Sequence, residues 1–395
     1  MNRRGDLDAV LVGGGAIGTA LALGLARDGF DVALIESRVP KPWRVEDDVD
    51  LRVVALAADA RDLLVDLGVW TPILAARVSP YRRMHVWDAS APGELAFDAA
   101  ERGDAALGWI IENRLIQHAL WQAATEQRGV RVLSPAEVAV VENGDDVAEV
   151  ALADGTRLRS RIVIAADGAE SRVRKMLGIE DSTRDYAQRA VVAHVATARE
   201  HENTAWQRFQ PGGPLAFLPL ADGRSSIVWS LPEGEADRVL ALDDSTFRNE
   251  LGCAFDFRLG EIVSTTPRAA FPLRMRLAAK YVSGRCVLAG DAAHVVHPLA
   301  GQGMNLGFRD VVCLRRVLRD ARERGSDIGA AHVLRRYERE RRSENALAAY
   351  GLDGIERLFG NGNAIVAGLR GAGLAVVDRT DPLKQFFAGL AAGRN

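Results

Sequence analysis

Asp8-Ala-Val-Leu-Val12 runs directly into Gly13-Gly-Gly15-Ala16-Ile17-Gly18, and a stretch rich in Ala and Leu then continues to Asp28. The first five residues read as a short buried strand, the stretch from Ala16 as a helix, and Asp31 to Ile35 as a second strand, which completes a βαβ unit. In such a unit the glycines permit a tight turn, close approach of a pyrophosphate and close packing of helix on strand. The helix N-terminus offers unpaired N–H groups and a positive dipole end to phosphate oxygens. Glu36, with Ser37 beside it, ends the second strand 18 residues after Gly18. An acid there accepts hydrogen bonds from a ribose diol. The unit predicts a bound dinucleotide, and by itself it does not separate FAD from NAD.

The rest of the chain narrows the class. At 395 residues it is too long for one core, so two interleaved domains are expected. Lys+Arg 50 against Asp+Glu 53 gives a formal charge of −3 without long blocks of one sign, which argues against a nucleic-acid partner. Cys253, Cys286 and Cys313 are scattered and odd in number, so neither a metal site nor a disulfide framework is expected. The glycines at 13–15 interrupt any signal-peptide core, and no apolar run approaches the roughly 20 residues of a membrane span. A cytoplasmic protein is expected.

Further along, a helix near Ala57–Asp66, strand-like alternation over Ser79–Phe97, a helix at Asn113–Arg128 and strands over Val130–Leu158 lead to the apolar run Arg161–Ala166. Tyr186–Pro272 is strand-rich, with turn signals at Pro211-Gly212-Gly213 and Asp222-Gly223. A buried strand returns at Cys286–Ala289, a long helix is expected from about Gly303, and the chain after Gly329 is helical. The expected architecture is α/β: a Rossmann-like domain from residues 1–75, 100–182 and 272–328, a sheet-based substrate domain from 76–99 and 183–271, and C-terminal helices over 329–395.

Two further motifs follow strands. Ala165-Ala-Asp167-Gly168-Ala-Glu-Ser171-Arg-Val-Arg174 places a carboxylate and backbone groups at the carboxyl edge of a sheet, where ligands sit, although Asp-Gly alone also marks a plain turn. Val287-Leu-Ala-Gly290-Asp291-Ala-Ala-His294 is followed by His297-Pro298-Leu-Ala-Gly301-Gln302-Gly303-Met304-Asn305. Asp291 at a strand end can bind a ribityl or ribose hydroxyl. Gly301 and Gly303 let backbone approach a flavin ring, and the following helix aims its dipole at the edge that is negative in the reduced flavin.

With these motifs the sequence resembles the class A flavoprotein hydroxylases of the p-hydroxybenzoate hydroxylase type, and within them the ubiquinone-biosynthesis hydroxylases. The resemblance extends over nearly the whole chain. It includes Asp50-Leu-Arg52-Val-Val-Ala-Leu56, Glu112-Asn-Arg114, Trp206-Gln-Arg-Phe209, Pro214-Leu-Ala-Phe-Leu-Pro219, Val228-Trp-Ser230 and Phe271-Pro-Leu273. It implies that Gly13, Gly15, Ala16, Ile17, Gly18, Glu36 and Ser37 hold the ADP half of FAD, and that Arg52 and Arg114 lie along the cofactor. It implies too that Asp291 binds FAD hydroxyls and that Pro298, Gly301, Gly303, Met304 and Asn305 border the ring. Asp167, Gly168 and Arg174 are implied to meet FAD and, transiently, NAD(P)H.

The implied reaction is hydroxylation of a prenylated phenol or quinol in ubiquinone biosynthesis. NAD(P)H is the transient reductant, O2 the co-substrate and a flavin C4a-hydroperoxide the oxygen donor, in a site that excludes water. His294, Pro298 and Gly303 are the flavin-loop candidates for catalysis. The stronger reading of His294 is as a structural member of its turn, hydrogen-bonded within the loop, and His297, His85 and His194 are further candidates for proton work. Trp206, Phe209, Phe217 and Trp229 are candidates for an apolar substrate pocket, while aromatics on alternating strand positions also make simple core. Gly362–Leu390 either docks on the inner membrane, a quinone-synthesis assembly or another copy of the chain, or caps the core. Two other readings stay open: a flavin hydroxylase of a non-prenylated aromatic or polyketide, and a flavin-binding structural subunit. A halogenase is disfavoured because Gly108-Trp109-Ile110-Ile111 does not supply its Trp-x-Trp-x-Ile-Pro signature.

Overall fold

Strands apolar along nearly their whole length belong in a parallel sheet covered on both faces, and Leu7–Val12, apolar but for Asp8, is buried beyond its first residue. In the computed structural model, which describes residues 6–90, 93–297 and 302–360, it lies at the centre of a largely parallel sheet. Val32–Ile35 and Arg157–Ala165 flank it, Val130–Leu133 follows on one side and Cys286–Leu288 on the other. The helices Ala16–Arg27, Asn113–Glu126 and Gln302–Glu323 contribute their apolar faces to the core around this sheet. Register then brings the motifs together. Val12 is level with Ile35 and Ala165, and Ala165 with Leu288. Gly13, Glu36, Asp167 and Gly290 therefore all leave the same carboxyl edge.

A second, nine-stranded sheet takes its strands from between these pieces. Arg83–Asp88 and Glu94–Asp98 form one edge, and Asp181–Thr197, Thr204–Phe209, Leu215–Pro219, Ser225–Pro232, Ile262–Thr265 and Ala269–Ala278 most of the rest. Only Thr204–Phe209 against Arg83–Asp88 is parallel among its long pairings. Val78–Tyr81, expected with this sheet, instead joins Val53–Leu56 and Gly108–Glu112 in a three-stranded sheet.

The strand-rich stretch also holds two helices, Glu233–Ala241 and Asp244–Ala254. Asp243 caps the second by accepting the N–H groups of Ser245 and Thr246. Both helices cover one face of the sheet, where Val191, Phe217, Ile227 and Trp229 pack against Val239, Phe247 and Leu251. The last described helix, Ala331–Gly360, packs on Gln302–Glu323 and reaches the inserted sheet. There Asp353 accepts from Arg184 Nη1 at 2.9 Å and the Tyr186 hydroxyl at 3.1 Å. Among the described residues no helix is long and apolar enough to cross a membrane. Pro298 and Gly301, and the segment Gly362–Leu390, lie outside the described residues.

Candidate active site

The glycines of the first motif divide by what surrounds them. Gly13 has φ +108°, and a Cβ there would stand 2.4 Å from the Ala166 carbonyl oxygen; at Gly18 a Cβ would stand 1.9 Å from the Gly13 carbonyl oxygen. Protein packing alone requires glycine at both. Gly15 has an ordinary φ of −70°, and a Cβ there would meet nothing within 4 Å. The open space above Gly15 is what an approaching pyrophosphate needs. Gly168 and Gly303 open on free space in the same way. Gly13, Gly15, Glu36, Ser37, Asp167 and Gly168 line one cleft of about 750 Å³.

Glu36 closes the loop. Its carboxylate accepts the Gly14 N–H at 2.5 Å, the Arg38 N–H at 2.9 Å and the Ser37 hydroxyl at 3.1 Å. Ala16 opens the helix, and Ile17 locks the first motif to the third, because a Cβ on Gly290 or Gly307 would stand 3.2 or 2.7 Å from its side chain.

The second motif is more structural than its resemblance implies. Asp167 accepts the N–H groups of Arg172 at 2.8 Å and Val173 at 3.1 Å, which caps the helix Arg172–Met176. Arg174 is no surface group for a nicotinamide. It is 1 % exposed and donates to the carbonyls of Ala292 at 2.9 Å and Ala169 at 3.0 Å, tying the second motif to the third.

In the third motif Asp291 is the one exposed residue of the turn Gly290–His294. Burial on its other sides pushes its carboxyl above the usual range; His294 and Arg52 oppose this and Asp310 adds to it. Arg52 lies with its guanidinium 4.6 Å from the centre of the Phe271 ring. Its loop is pinned by the Glu112 carboxylate, which accepts the Asp50 N–H at 2.7 Å, and by His194 Nε2, 3.1 Å from the Asp50 carbonyl. Arg114 pairs with Asp47 at 2.6 Å. Asn305 does not present its amide to a ring. It is buried, accepts the Ala57 N–H at 3.0 Å and donates to the Ala55 carbonyl at 2.9 Å, holding the flavin-loop helix on the three-stranded sheet. Met304 is half-buried against the core, and Gly303 stands at the helix start with open space beside it.

His294 lies sealed beneath the turn. It is 1 % exposed, with Nε2 2.6 Å from Asp310 Oδ2. His297 is as buried, edge-on to Tyr186, and burial pushes its pKa down to about 4. His85 stacks on Trp206.

The four aromatics do not line one pocket. Phe217 is fully buried, its ring 3.7 Å from that of Phe255, and Trp229 lies in the same core beneath the two helices. Trp206 packs against that core from His85 and Trp87. Phe209 lies on the other face, stacked on Phe359. The physical reason is the two-residue period of a strand: the residues between the buried aromatics point the other way. Ala216, Leu218 and Val228 are half-buried there, and Leu218 packs with Val53, Ala55 and Leu220. Phe271, under Arg52, shares this face through its pairing with Ala190, which in turn pairs with Ser230. The face towards the cofactor motifs thus presents Ala216, Leu218, Val228 and Phe271 beside the polar Gln207, Ser230 and His194.

The fold and the site define a dinucleotide-binding α/β protein in which three motifs leave one sheet edge and the first two line one cleft. A family model described as "FAD binding domain" matches residues 6–349. The 3-demethoxyubiquinol 3-hydroxylase of Escherichia coli is 39 % identical over 96 % of this chain and 96 % of its own length. The ubiquinone hydroxylase UbiL of Rhodospirillum rubrum is 36 % identical over 98 % of this chain and 89 % of its own. The solved structure of P. aeruginosa PqsL in complex with 2-aminobenzoylacetate shares the fold, with a TM-score of 0.77 at 23 % identity over 95 % of this chain and all of that one. The chain belongs to the FAD-binding-domain family and, within it, to the ubiquinone-biosynthesis hydroxylases.

Proposed function

We propose that this protein is an FAD-dependent monooxygenase that hydroxylates the aromatic ring of a prenylated quinol precursor of ubiquinone, with NAD(P)H as transient reductant and O2 as co-substrate. The observation that carries the reading is the convergence of the three motifs on one sheet edge, in a chain 39 % identical to a 3-demethoxyubiquinol 3-hydroxylase along almost its whole length. When bound, FAD supplies electron transfer from NAD(P)H and activation of O2. In this reading Gly15 admits the pyrophosphate on a turn that Gly13 and Gly18 allow to pack, Glu36 and Ser37 face the ADP ribose, and Arg52 and Arg114 line the cofactor's path. Asp291 binds its hydroxyls. The helix Gln302–Glu323 turns its N-terminal end to the ring, with Gly303 leaving space.

The substrate ring lies against Ala216, Leu218 and Val228 on the face towards the cofactor motifs, where these apolar side chains exclude water from the reacting centre. The discontinuous cofactor domain and the inserted sheet are accordingly the two working parts. A prenylated substrate resides in a bilayer, so contact with the inner membrane, or with other quinone-synthesis proteins, belongs to this proposal.

The test is a screen of NADH and NADPH oxidation by the yellow holoprotein with prenylphenols of varied ring substitution, products being identified by mass spectrometry. The expected result is faster oxidation with a prenylated phenol and a product one oxygen heavier. Stimulation only by short soluble phenols would move the protein to the non-prenylated hydroxylases. A protein that takes up no FAD would sink the flavoenzyme reading.

A further inference from the structure

Beneath the turn Gly290–His294 lies a cluster of polar groups that the three motifs do not account for. Asp310, on the helix Gln302–Glu323, is fully buried. Its Oδ2 accepts the Gly290 N–H at 2.9 Å and lies 2.6 Å from His294 Nε2. Its Oδ1 accepts from Arg341 Nε at 2.8 Å and from Asn345 Nδ2 at 3.2 Å. Arg341 and Asn345 stand one turn apart on the last helix, and both are buried. Arg341 also donates to Asn345 Oδ1 at 2.7 Å and to the Leu306 carbonyl at 3.3 Å. Burial alone would raise the Asp310 carboxyl, but His294 and Arg341 hold it below its usual range.

Apolar side chains of similar volume would pack here at no electrostatic cost, so a buried ion pair is poor evidence for a stabilising role. What distinguishes this pair is what it holds. Gly290 and His294 stand on either side of Asp291, the exposed member of the turn. Gly290 adopts φ +60°, a conformation with weak local preference of its own.

We propose that Asp310 is the positioning residue of the cofactor turn: by gripping Gly290 and His294 it fixes the direction in which Asp291 meets the hydroxyls of FAD, with Arg341 and Asn345 as its support. The inference rests on the reading of Asp291 as an FAD contact. It makes the last described helix, which carries none of the cofactor motifs, part of the binding machinery.

The experiment titrates FAD into apoprotein and measures Kd by flavin fluorescence alongside the apoprotein Tm, for wild type, D310N/R341M, H294F and V317A. The double variant leaves no stranded charge, and neutral replacements of buried pairs are commonly tolerated. Its Tm is expected within a few degrees of wild type while its Kd rises at least about tenfold, the scale of hydrogen bonds to a charged group. H294F keeps the Asp310–Arg341 pair and removes one arm of the grip; its Kd is expected to rise at least about threefold. V317A opens a cavity elsewhere on the same helix, where Val317 is 2 % exposed, and is expected to lower Tm without moving Kd. FAD binding within twofold of wild type in both D310N/R341M and H294F would overturn the proposal, as would a Kd that follows Tm through all variants, V317A included. Should the double variant fail to fold, H294F against V317A decides alone. A wild-type apoprotein that binds no FAD overturns the cofactor reading itself, which is a different result.

Discussion

Gly15 and Gly18 look interchangeable in the motif, yet the structure gives them opposite jobs. A side chain at Gly18 would run into the Gly13 carbonyl, whereas one at Gly15 would enter empty space in the cleft. Gly15→Val should therefore leave the apoprotein Tm within a few degrees of wild type and weaken FAD binding at least about tenfold, or about 1.4 kcal/mol. Gly18→Ala should cost about 3 kcal/mol of stability, since backbone has to move to admit even one methyl group. Thermal denaturation of the two apoproteins with a parallel FAD titration separates these effects. Equal losses of stability in both variants would mean that the space above Gly15 is not a ligand's. The same distinction between a group that meets the cofactor and one that holds it separates Asp291, exposed in the turn, from His294, sealed beneath it.

At the scale of elements the inserted sheet has one face packed under two helices and one that the proposed function gives to the substrate. Phe217→Ala should cost 3–5 kcal/mol, typical of a buried aromatic truncation, through loss of the stack on Phe255. Val228→Phe, on the opposite half-buried face, should leave Tm and FAD affinity nearly unchanged and abolish the substrate's stimulation of NAD(P)H oxidation. Unimpaired stimulation in Val228→Phe would place the substrate elsewhere. The sheet's existence could be read from its alternation and turn signals, but not which of its faces meets the cofactor. That depends on two helices between Pro232 and Phe255, and aromatic residues suit a core as well as a pocket. The parallel sheet was fully legible, because glycine spacing and unbroken apolar strands have few other readings. Asp310 and Arg341 carry a fainter signal: each is a charged residue in the buried stripe of an otherwise amphipathic helix, Arg341 between Tyr337 and Asn345. A charge in such a stripe is a buried network to be sought.

For the molecule as a whole, the buried histidines set its tolerance of acid. Burial lowers the pKa of His297 to about 4 and lowers those of His194 and His201 as well. In the unfolded chain a histidine titrates near 6.5, so between about 4 and 6.5 the unfolded state binds more protons than the folded one, and stability rises with pH. For His297 that contribution is complete above about 6.5 and is lost as pH falls towards 4, and His194 and His201 act in the same direction. For His297 alone it is on the order of 3 kcal/mol, at about 1.4 kcal/mol per unit. Asp291, raised by burial, acts in the opposite sense. Paired carboxylates such as Asp185 and Glu170 have pKa values below the usual range and so add their losses mainly at lower pH. The apoprotein Tm should fall by several degrees from pH 7 to pH 5, before those carboxylates protonate. His297 lies between the cofactor turn and Tyr186 of the inserted sheet, whose hydroxyl is anchored to Asp353 of the last helix. Its protonation therefore loads the contact between sheet and helix. His297→Gln removes the titrating group, so its profile of Tm against pH should be shallower over the same interval. Parallel profiles for the two proteins, measured by calorimetry in buffers of matched ionic strength, would show that the acid lability resides elsewhere.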